Sequence, residues 1–224
     1  MKIVLYDWPP SPFCMKVRGV LERKGLSYER RPALKHVREI ERRGGIGKVP
    51  AVDLDGEMLV DSTDIVYALE ARSPQPSVLP ATPELRARCH VLEDWCDEAL
   101  YFLGLYFHWR EPSGRRQVQR YFSKSLLGKI AFWPFQARIR RQLDGQGVGR
   151  KSPDHVRRDL GRSLDAVEGL LGGTSYLLGE APMLCDYALA AQLRYLSLAP
   201  ALRGVVEARP TVAAFMARVP EIRL

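Results

Sequence analysis

The stretch Ser73-Pro74-Gln75-Pro76-Ser77-Val78-Leu79-Pro80-Ala81-Thr82-Pro83 places four prolines in eleven residues. Proline locks φ and has no N–H to donate, so this stretch sustains neither a helix nor a sheet strand. It divides the chain into two unlike parts. Before it, short strand and helix signals alternate; beyond it, the sequence reads as helix throughout. Residues 1–76 are therefore expected to form an α/β domain and residues 84–224 an all-α helical bundle.

In the first part, Lys2–Leu5 reads as a strand, and Val17, Val20 and Leu21 share one face of a helix over Cys14–Lys24 that Gly25 closes. Ser11 and Cys14 fall where the strand hands over to the first helical turn. Unpaired N–H groups and the positive end of the helix dipole gather there and favour an anion such as a thiolate or carboxylate. Ser11-Pro12-Phe13-Cys14 is also a Cys-x-x-Cys redox pattern with serine in the first place. A second strand is expected near Ser27–Arg31, and Lys35–Arg43 as a short helix or an irregular segment. Lys48–Leu54 and Glu57–Val60 flank Asp55-Gly56, a strong hairpin signal. Pro50 suits the first residue of that strand; either isomer of Val49–Pro50 fits the spacing, and a cis bond would leave the Val49 N–H and C=O open to a ligand. Asp61, Ser62 and Thr63 supply capping side chains to a helix through Ile65, Val66 and Leu69.

Beyond the prolines, a helix is expected from Glu84 to about Tyr106, then a break around Pro112-Ser113-Gly114. Helical pattern resumes over Val118–Leu127 and Ile130–Leu143, with Pro134 as a kink or boundary, and again from Ser152-Pro153-Asp154 to Leu171. Asp186–Leu198 is nearly all apolar and reads as the buried central helix; Val212–Val219 closes the chain.

Of the 224 residues, 46% are hydrophobic and 27% charged, the balance of an ordinary soluble globular protein. No apolar run approaches the about 18 residues that span a bilayer, and Met1-Lys2 leads into the first strand with no leader pattern. Cys14, Cys89, Cys96 and Cys185 lack paired spacing, which suits a reducing cytoplasm; Cys89 and Cys96 read as buried small hydrophobes. His36, His90, His108 and His155 form no ligand spacing, so no metal site is expected. The net charge of +8 invites a nucleic-acid reading, yet the dense stretch Arg110 to Arg162 holds no nucleic-acid motif. That stretch reads first as a solvated basic face, next as a surface for an anionic ligand or membrane, and last as a nucleic-acid site.

Ser11-Pro12-Phe13 with Val17-Arg18, Lys48-Val49-Pro50, Asp61-Ser62-Thr63-Asp64-Ile65 and Gly179 to Asp186, in this order, resemble the cytosolic glutathione transferase family across essentially the whole chain. The resemblance implies a thioredoxin-like N-terminal domain, an all-helical C-terminal domain, a homodimer and glutathione as cosubstrate for a detoxifying conjugation to a small hydrophobic electrophile. It assigns Ser11 as the hydroxyl that donates to the glutathione thiolate, as in serine-type classes. Val49, before the family's cis-proline Pro50, pairs with the cysteinyl backbone; Asp61 and Ser62 hold the γ-glutamyl end; Lys48, with Lys35 second, faces the glycyl carboxylate. Tyr101, Tyr106 and Trp109 are candidates for the electrophile pocket, each with helix core as the favoured reading. The sequence departs from the family in three places: Met183 stands where Ser or Thr caps the buried helix, Asp61 where Glu is commoner, and Cys14 in the resolving position of thioredoxin-type proteins. Gly145–Ser152 further looks like the metaxin-related and failed-axon-like branch. Two alternatives to the transferase follow, a non-catalytic binding or scaffold protein and a glutathione-dependent thiol reductase or isomerase.

Overall fold

A computed structural model describes residues 1–123 and 126–222. Its first element, β1 (Ile3–Asp7), is buried along its whole length. It pairs in parallel with β2 (Glu29–Pro32) and antiparallel with β3 (Ala51–Leu54), which pairs with β4 (Glu57–Val60), in the order β2-β1-β3-β4. Side chains alternate across a strand. Ile3, Leu5, Val52 and Leu54 accordingly join the core that includes α1 (Pro12–Arg23) and α3 (Ser62–Arg72), while Val4, Tyr6 and Ala51 cluster with Ala33 and Ile40 of a 3-10 turn (Ala33–Lys35) and α2 (Val37–Arg42). β1 runs two residues past its expected end because its polar tips find partners: the Tyr6 hydroxyl donates to Glu39 at 2.5 Å, and Asp7 accepts from two arginines. The hairpin turn is as expected, with Asp55 and Gly56 both at positive φ (54° and 95°), as a type I′ turn requires.

The helical part opens with α4 (Pro83–Trp95), a π-helical stretch (Cys96–Leu100) and α5 (Tyr101–Trp109) in unbroken succession. It continues as α6 (Pro112–Phe122), α7 (Leu126–Gln146), α8 (Pro153–Leu171), α9 (Leu184–Leu198), α10 (Arg203–Glu207) and α11 (Pro210–Arg218). Pro112-Ser113-Gly114, expected as a break, is instead a helix start. Pro112 takes the first position, and the Glu111 carboxylate accepts the N–H groups of Ser113 (2.8 Å) and Gly114 (3.1 Å). Pro134 lies inside α7; the carbonyl it cannot bond belongs to Ile130, an exposed residue, so water can satisfy it. The short α10 was not foreseen.

Buried α9 is the post against which both parts lean. Gly19 of α1 lets it close on α9, since a methyl group there would lie 3.0 Å from the Tyr187 ring and 2.5 Å from Ile222. Met183 makes no side-chain cap, but Asp186 compensates by accepting the N–H groups of Met183 (2.9 Å) and Leu177 (2.8 Å). Burial pushes the Asp186 carboxyl up to about 6.

A second link crosses from sheet part to helical part through charge. Lys16, fully buried on α1, donates to Glu93 and Asp97 of the α4 segment at 2.5 Å each and to Thr63 of α3 at 3.3 Å, while Thr63 donates to Glu93 at 2.6 Å. Burial alone would pull the Lys16 ammonium down, but Asp97 and Glu93 outweigh it and hold the lysine protonated. Burial pushes Asp97 up to about 6 against the pull of Lys16. The folded state therefore takes up a proton between the ordinary aspartate value and about 6, and this group's contribution to stability falls as pH rises through that window. Lys16→Met leaves two buried carboxylates without a cation and is expected to cost about 3–5 kcal/mol at neutral pH, and clearly less at about pH 5 where they can protonate. Urea unfolding at both pH values reads the difference; an equal loss at both would mean that packing, not charge, was removed. Met183→Thr, which restores a cap, is expected to raise stability by about 0.5–1 kcal/mol in the same assay.

Candidate functional site

The sheet register brings the sequence-predicted residues to one end of the sheet. Tyr6 stands opposite Ala51, Ala51 opposite Val60, and Asp7 opposite Pro32. The β1–α1 loop with Ser11, the approach to β3 with Lys48, Val49 and Pro50, the start of α3 with Asp61 and Ser62, and the turn carrying Lys35 therefore all leave the sheet at the same edge.

The loop is anchored by charge. Asp7, at the end of β1, accepts two bonds from Arg18 of α1 (2.8 and 2.9 Å) and two from Arg30 (2.9 and 2.5 Å), and Arg18 also donates to the Pro9 carbonyl at 3.2 Å. Held this way, Ser11 caps α1: its extended backbone (φ −73°, ψ 124°) starts the helix, and its Oγ accepts the Cys14 N–H at 3.4 Å, a long and weak bond. A hydroxyl has one hydrogen and two lone pairs, so this acceptance leaves the Ser11 O–H available to donate. Cys14 has the opposite character. Its thiol is buried and accepts the Trp8 N–H at 3.4 Å, and burial, with Asp7 adding its charge, pushes it up to about 12. Such a thiol is a packing group, not a nucleophile.

At the second corner, Val49–Pro50 is cis. Val49 is half-buried, and neither its N–H nor its C=O has a hydrogen-bond partner among the described residues. Lys48 beside it is exposed and forms no ion pair among the described residues. At the third corner, Asp61 holds φ 73° and ψ 128°, a conformation rare for a residue with a Cβ and costing on the order of 1–3 kcal/mol. The bend points the Asp61 carboxylate back over the helix start, where it accepts the Thr63 N–H at 2.9 Å. Ser62 is the first residue of α3 and is buried; its hydroxyl bonds to nothing else among the described residues. Two unused donors, the Ser62 O–H and N–H, thus stand at the positive end of an eleven-residue helix. Thr63 ties this corner to Glu93 and Lys16.

Of the residues considered for an apolar pocket, Tyr106 and Trp109 are core, 3% and 2% exposed. Tyr101 is half-buried and packs on Phe13 at 4.8 Å, two residues past Ser11. Sequence reasoning missed Trp8 and Phe135, whose rings meet at 6.3 Å and join the loop before Ser11 to α7. It also missed Asp7, Lys16, Glu93 and Asp97. The available signal was α1 itself: Cys14, Met15, Val17, Gly19, Val20 and Leu21 surround Lys16 and Arg18 with apolar neighbours on every side, so both cations had to find buried carboxylates.

Comparison with known proteins gives the family of both parts of the chain. The model described as "Glutathione S-transferase, N-terminal domain" matches residues 5–77, and "Glutathione S-transferase, C-terminal domain" matches residues 136–218. The chain is 24% identical to the isoprene-epoxide–glutathione S-transferase of Rhodococcus sp. strain AD45 over 97% of both chains. It is 28% identical to maleylacetoacetate isomerase of Pseudomonas aeruginosa over 84% of this chain and 79% of that one. The crystal structure of β-etherase LigF from Sphingobium sp. strain SYK-6 shares the fold, with a TM-score of 0.72 and 24% identity over 99% of this chain and 97% of that chain. Matched in chain order through both its sheet part and its helical part, the protein belongs to the glutathione S-transferase family.

Proposed function

We propose that this protein is a serine-type glutathione transferase: residues 1–76 hold glutathione, Ser11 stabilises its thiolate, and the thiolate attacks a small hydrophobic electrophile beside residues 84–224. The observation that carries the reading is the meeting of an available Ser11 hydroxyl, an unpaired Val49 backbone and the strained Asp61-Ser62 corner at one sheet end. In this reading the γ-glutamyl carboxylate takes the Ser62 O–H and N–H, and Asp61 faces its amine. Val49 pairs with the cysteinyl amide groups, extending the sheet edge by one strand-like step beside Pro50. Lys48, with Lys35 behind it, faces the glycyl carboxylate.

The chemistry follows from charge. A thiol attacks well only as thiolate, and one donated hydrogen bond from Ser11 at the positive end of α1 stabilises the anion against its protonated form. The thiol proton leaves to solvent. The sulfur–carbon bond forms as the electrophile's carbon–oxygen bond (of an epoxide) or carbon–halogen bond breaks. The electron pair stays on the oxygen, which then takes a proton, or departs with the halide ion. Phe13 and Tyr101 supply an apolar wall next to Ser11. A reductase that uses Cys14 as nucleophile is not supported, because that thiol stays protonated to about 12. Glutathione-dependent isomerisation is the second reading, favoured by the 28% identity to a maleylacetoacetate isomerase; it needs the same Ser11 but returns the thiol at the end of each turnover. The working form in this reading is a cytoplasmic homodimer, in keeping with four cysteines that are buried and unpaired.

Calorimetric titration with glutathione tests the site. Asp61→Ala and Ser62→Ala are each expected to weaken binding about tenfold or more. Ser11→Ala is expected to leave affinity within a few-fold, lower turnover of an epoxide or halide by about 100-fold, and move the pH–rate midpoint upward as the thiolate loses its donor. Absence of saturable binding at millimolar glutathione would overturn the reading and leave a scaffold.

A further inference from the structure

The chain's net charge has one address. Of its 34 lysines and arginines, eight lie in residues 112–143, which hold no aspartate or glutamate; the rest of the chain carries 26 basic and 26 acidic residues and is balanced. Residues 112–143, which are α6, its connection to α7 and all but the last three residues of α7, therefore carry a net +8, and with Asp144 the two helices and their connection carry +7. The second half of that segment is also amphipathic in an unusual sense. Phe132, Gln136, Ile139 and Leu143 form the buried face of α7, and on its opposite side Leu126, Ile130 and Trp133 follow at spacings of four and three, 74%, 64% and 63% exposed. Continuing the same stripe by helical spacing leads to Ala137, Arg140 and Arg141, and Lys129 stands beside Ile130. Lys129, Arg140 and Arg141 pair with no carboxylate among the described residues; the one acid of α7, Asp144, is taken by Arg110 at 2.7 Å.

We infer that the outer face of α7 docks on an anionic phospholipid surface, with Leu126, Ile130 and Trp133 entering the headgroup–acyl boundary and Lys129, Arg140 and Arg141 among the lipid phosphates and carboxylates. Charge selects this occupant. A second copy seated on the same face would bring Lys129, Arg140 and Arg141 of each copy onto one apolar interface with no carboxylate of that face to pair them, which like-charge repulsion opposes. A nucleic acid would neutralise the cations but leave the apolar stripe in water. An anionic bilayer meets both, and a tryptophan with flanking arginines suits the interface between headgroup and hydrocarbon. The inference is independent of glutathione turnover.

Co-sedimentation with vesicles of phosphatidylcholine mixed with phosphatidylserine, against phosphatidylcholine alone, tests it. The protein is expected to bind the anionic vesicles, to release with added salt, and to show a blue shift of Trp133 fluorescence that is missing in Trp133→Phe. Because each basic residue near such a surface strengthens partition about fivefold, Arg140→Glu with Arg141→Glu is expected to weaken binding by at least about 25-fold. Ile130→Ser with Trp133→Ser is expected to weaken it about tenfold or more, with circular dichroism unchanged since both residues are exposed. Equal binding to neutral and anionic vesicles, no binding to either, or binding untouched by both variants would overturn the proposal. So would retention of polyuridylic acid in place of vesicles, or a self-association that Trp133→Ser abolishes.

Discussion

The seating of α1 depends on the ammonium of Lys16. The helix begins at the loop that presents Ser11, runs under the sheet and closes on α9, and in its second turn it delivers a cation to Glu93, Asp97 and Thr63. Such a buried cluster adds little net stability over a well-packed apolar replacement, because removing three charges from water offsets their attraction. What it imposes is a single arrangement. Rotating α1 by one residue, about 100° around its axis, would turn Lys16 away from both carboxylates and leave all three charges uncompensated. The helix that carries the candidate donor is thus locked in rotation as well as in depth, and through Thr63 the start of α3 is locked with it.

The candidate site is made of capping chemistry put to a second use. Ser11 and Asp61 each cap a helix, and each retains capacity after doing so: Ser11 through its hydrogen, Asp61 through a second oxygen. A helix start always leaves donors without intrahelical partners. At the start of α9 the Leu184 N–H donates to the Val78 carbonyl at 2.7 Å, and Asp186 accepts the N–H groups of Met183 and Leu177 beside it. In α1 and α3 the caps close one donor each, Cys14 N–H and Thr63 N–H, and at α3 the Ser62 O–H and N–H beside the bent Asp61 backbone have no partner among the described residues. The start of α9 packs against the backbone of the linker, whereas the start of α3 leaves the Ser62 donors without such a partner among the described residues.

The strands themselves, the hairpin, the caps and the buried central helix were legible because each rests on a local rule: alternation, Asp-Gly at positive φ, or a polar side chain before an apolar run. Glu57–Val60 was found to the residue. The misses have a common cause in tertiary partners. Pro112-Ser113-Gly114 looks like a break until Glu111 is seen to close it as a cap, and β1 looks shorter than it is until Tyr6 and Asp7 find Glu39, Arg18 and Arg30. Pairings such as Lys16 with Glu93, 77 residues away, leave no periodic trace. Only the burial demanded by an all-apolar helix surface hints at them. Tyr106 and Trp109, open to a pocket reading but read first as helix core, are core; core and pocket share the same residue types, and burial alone tells them apart.

The segment that departs most from the balanced body is also the one that touches the candidate site from outside. α7 packs Phe135 against Trp8, and Trp109 lies between Phe132 and Phe135 at 6.2 and 5.3 Å. The helix therefore has one aromatic face turned toward the loop before Ser11 and one apolar, cationic face turned to solvent. A proline in its middle removes a single hydrogen bond at the exposed Ile130 carbonyl, where water replaces it at little cost. A charge excess spread over the whole surface would weaken the compact state by self-repulsion everywhere. Concentrated in residues 112–143, the +8 leaves the remaining residues with 26 basic and 26 acidic side chains, so a basic excess is not what distinguishes the candidate corner from the rest of the surface. Placed donors such as the Ser62 O–H and N–H discriminate among anions by shape, which a strongly positive field, gathering any anion, does not.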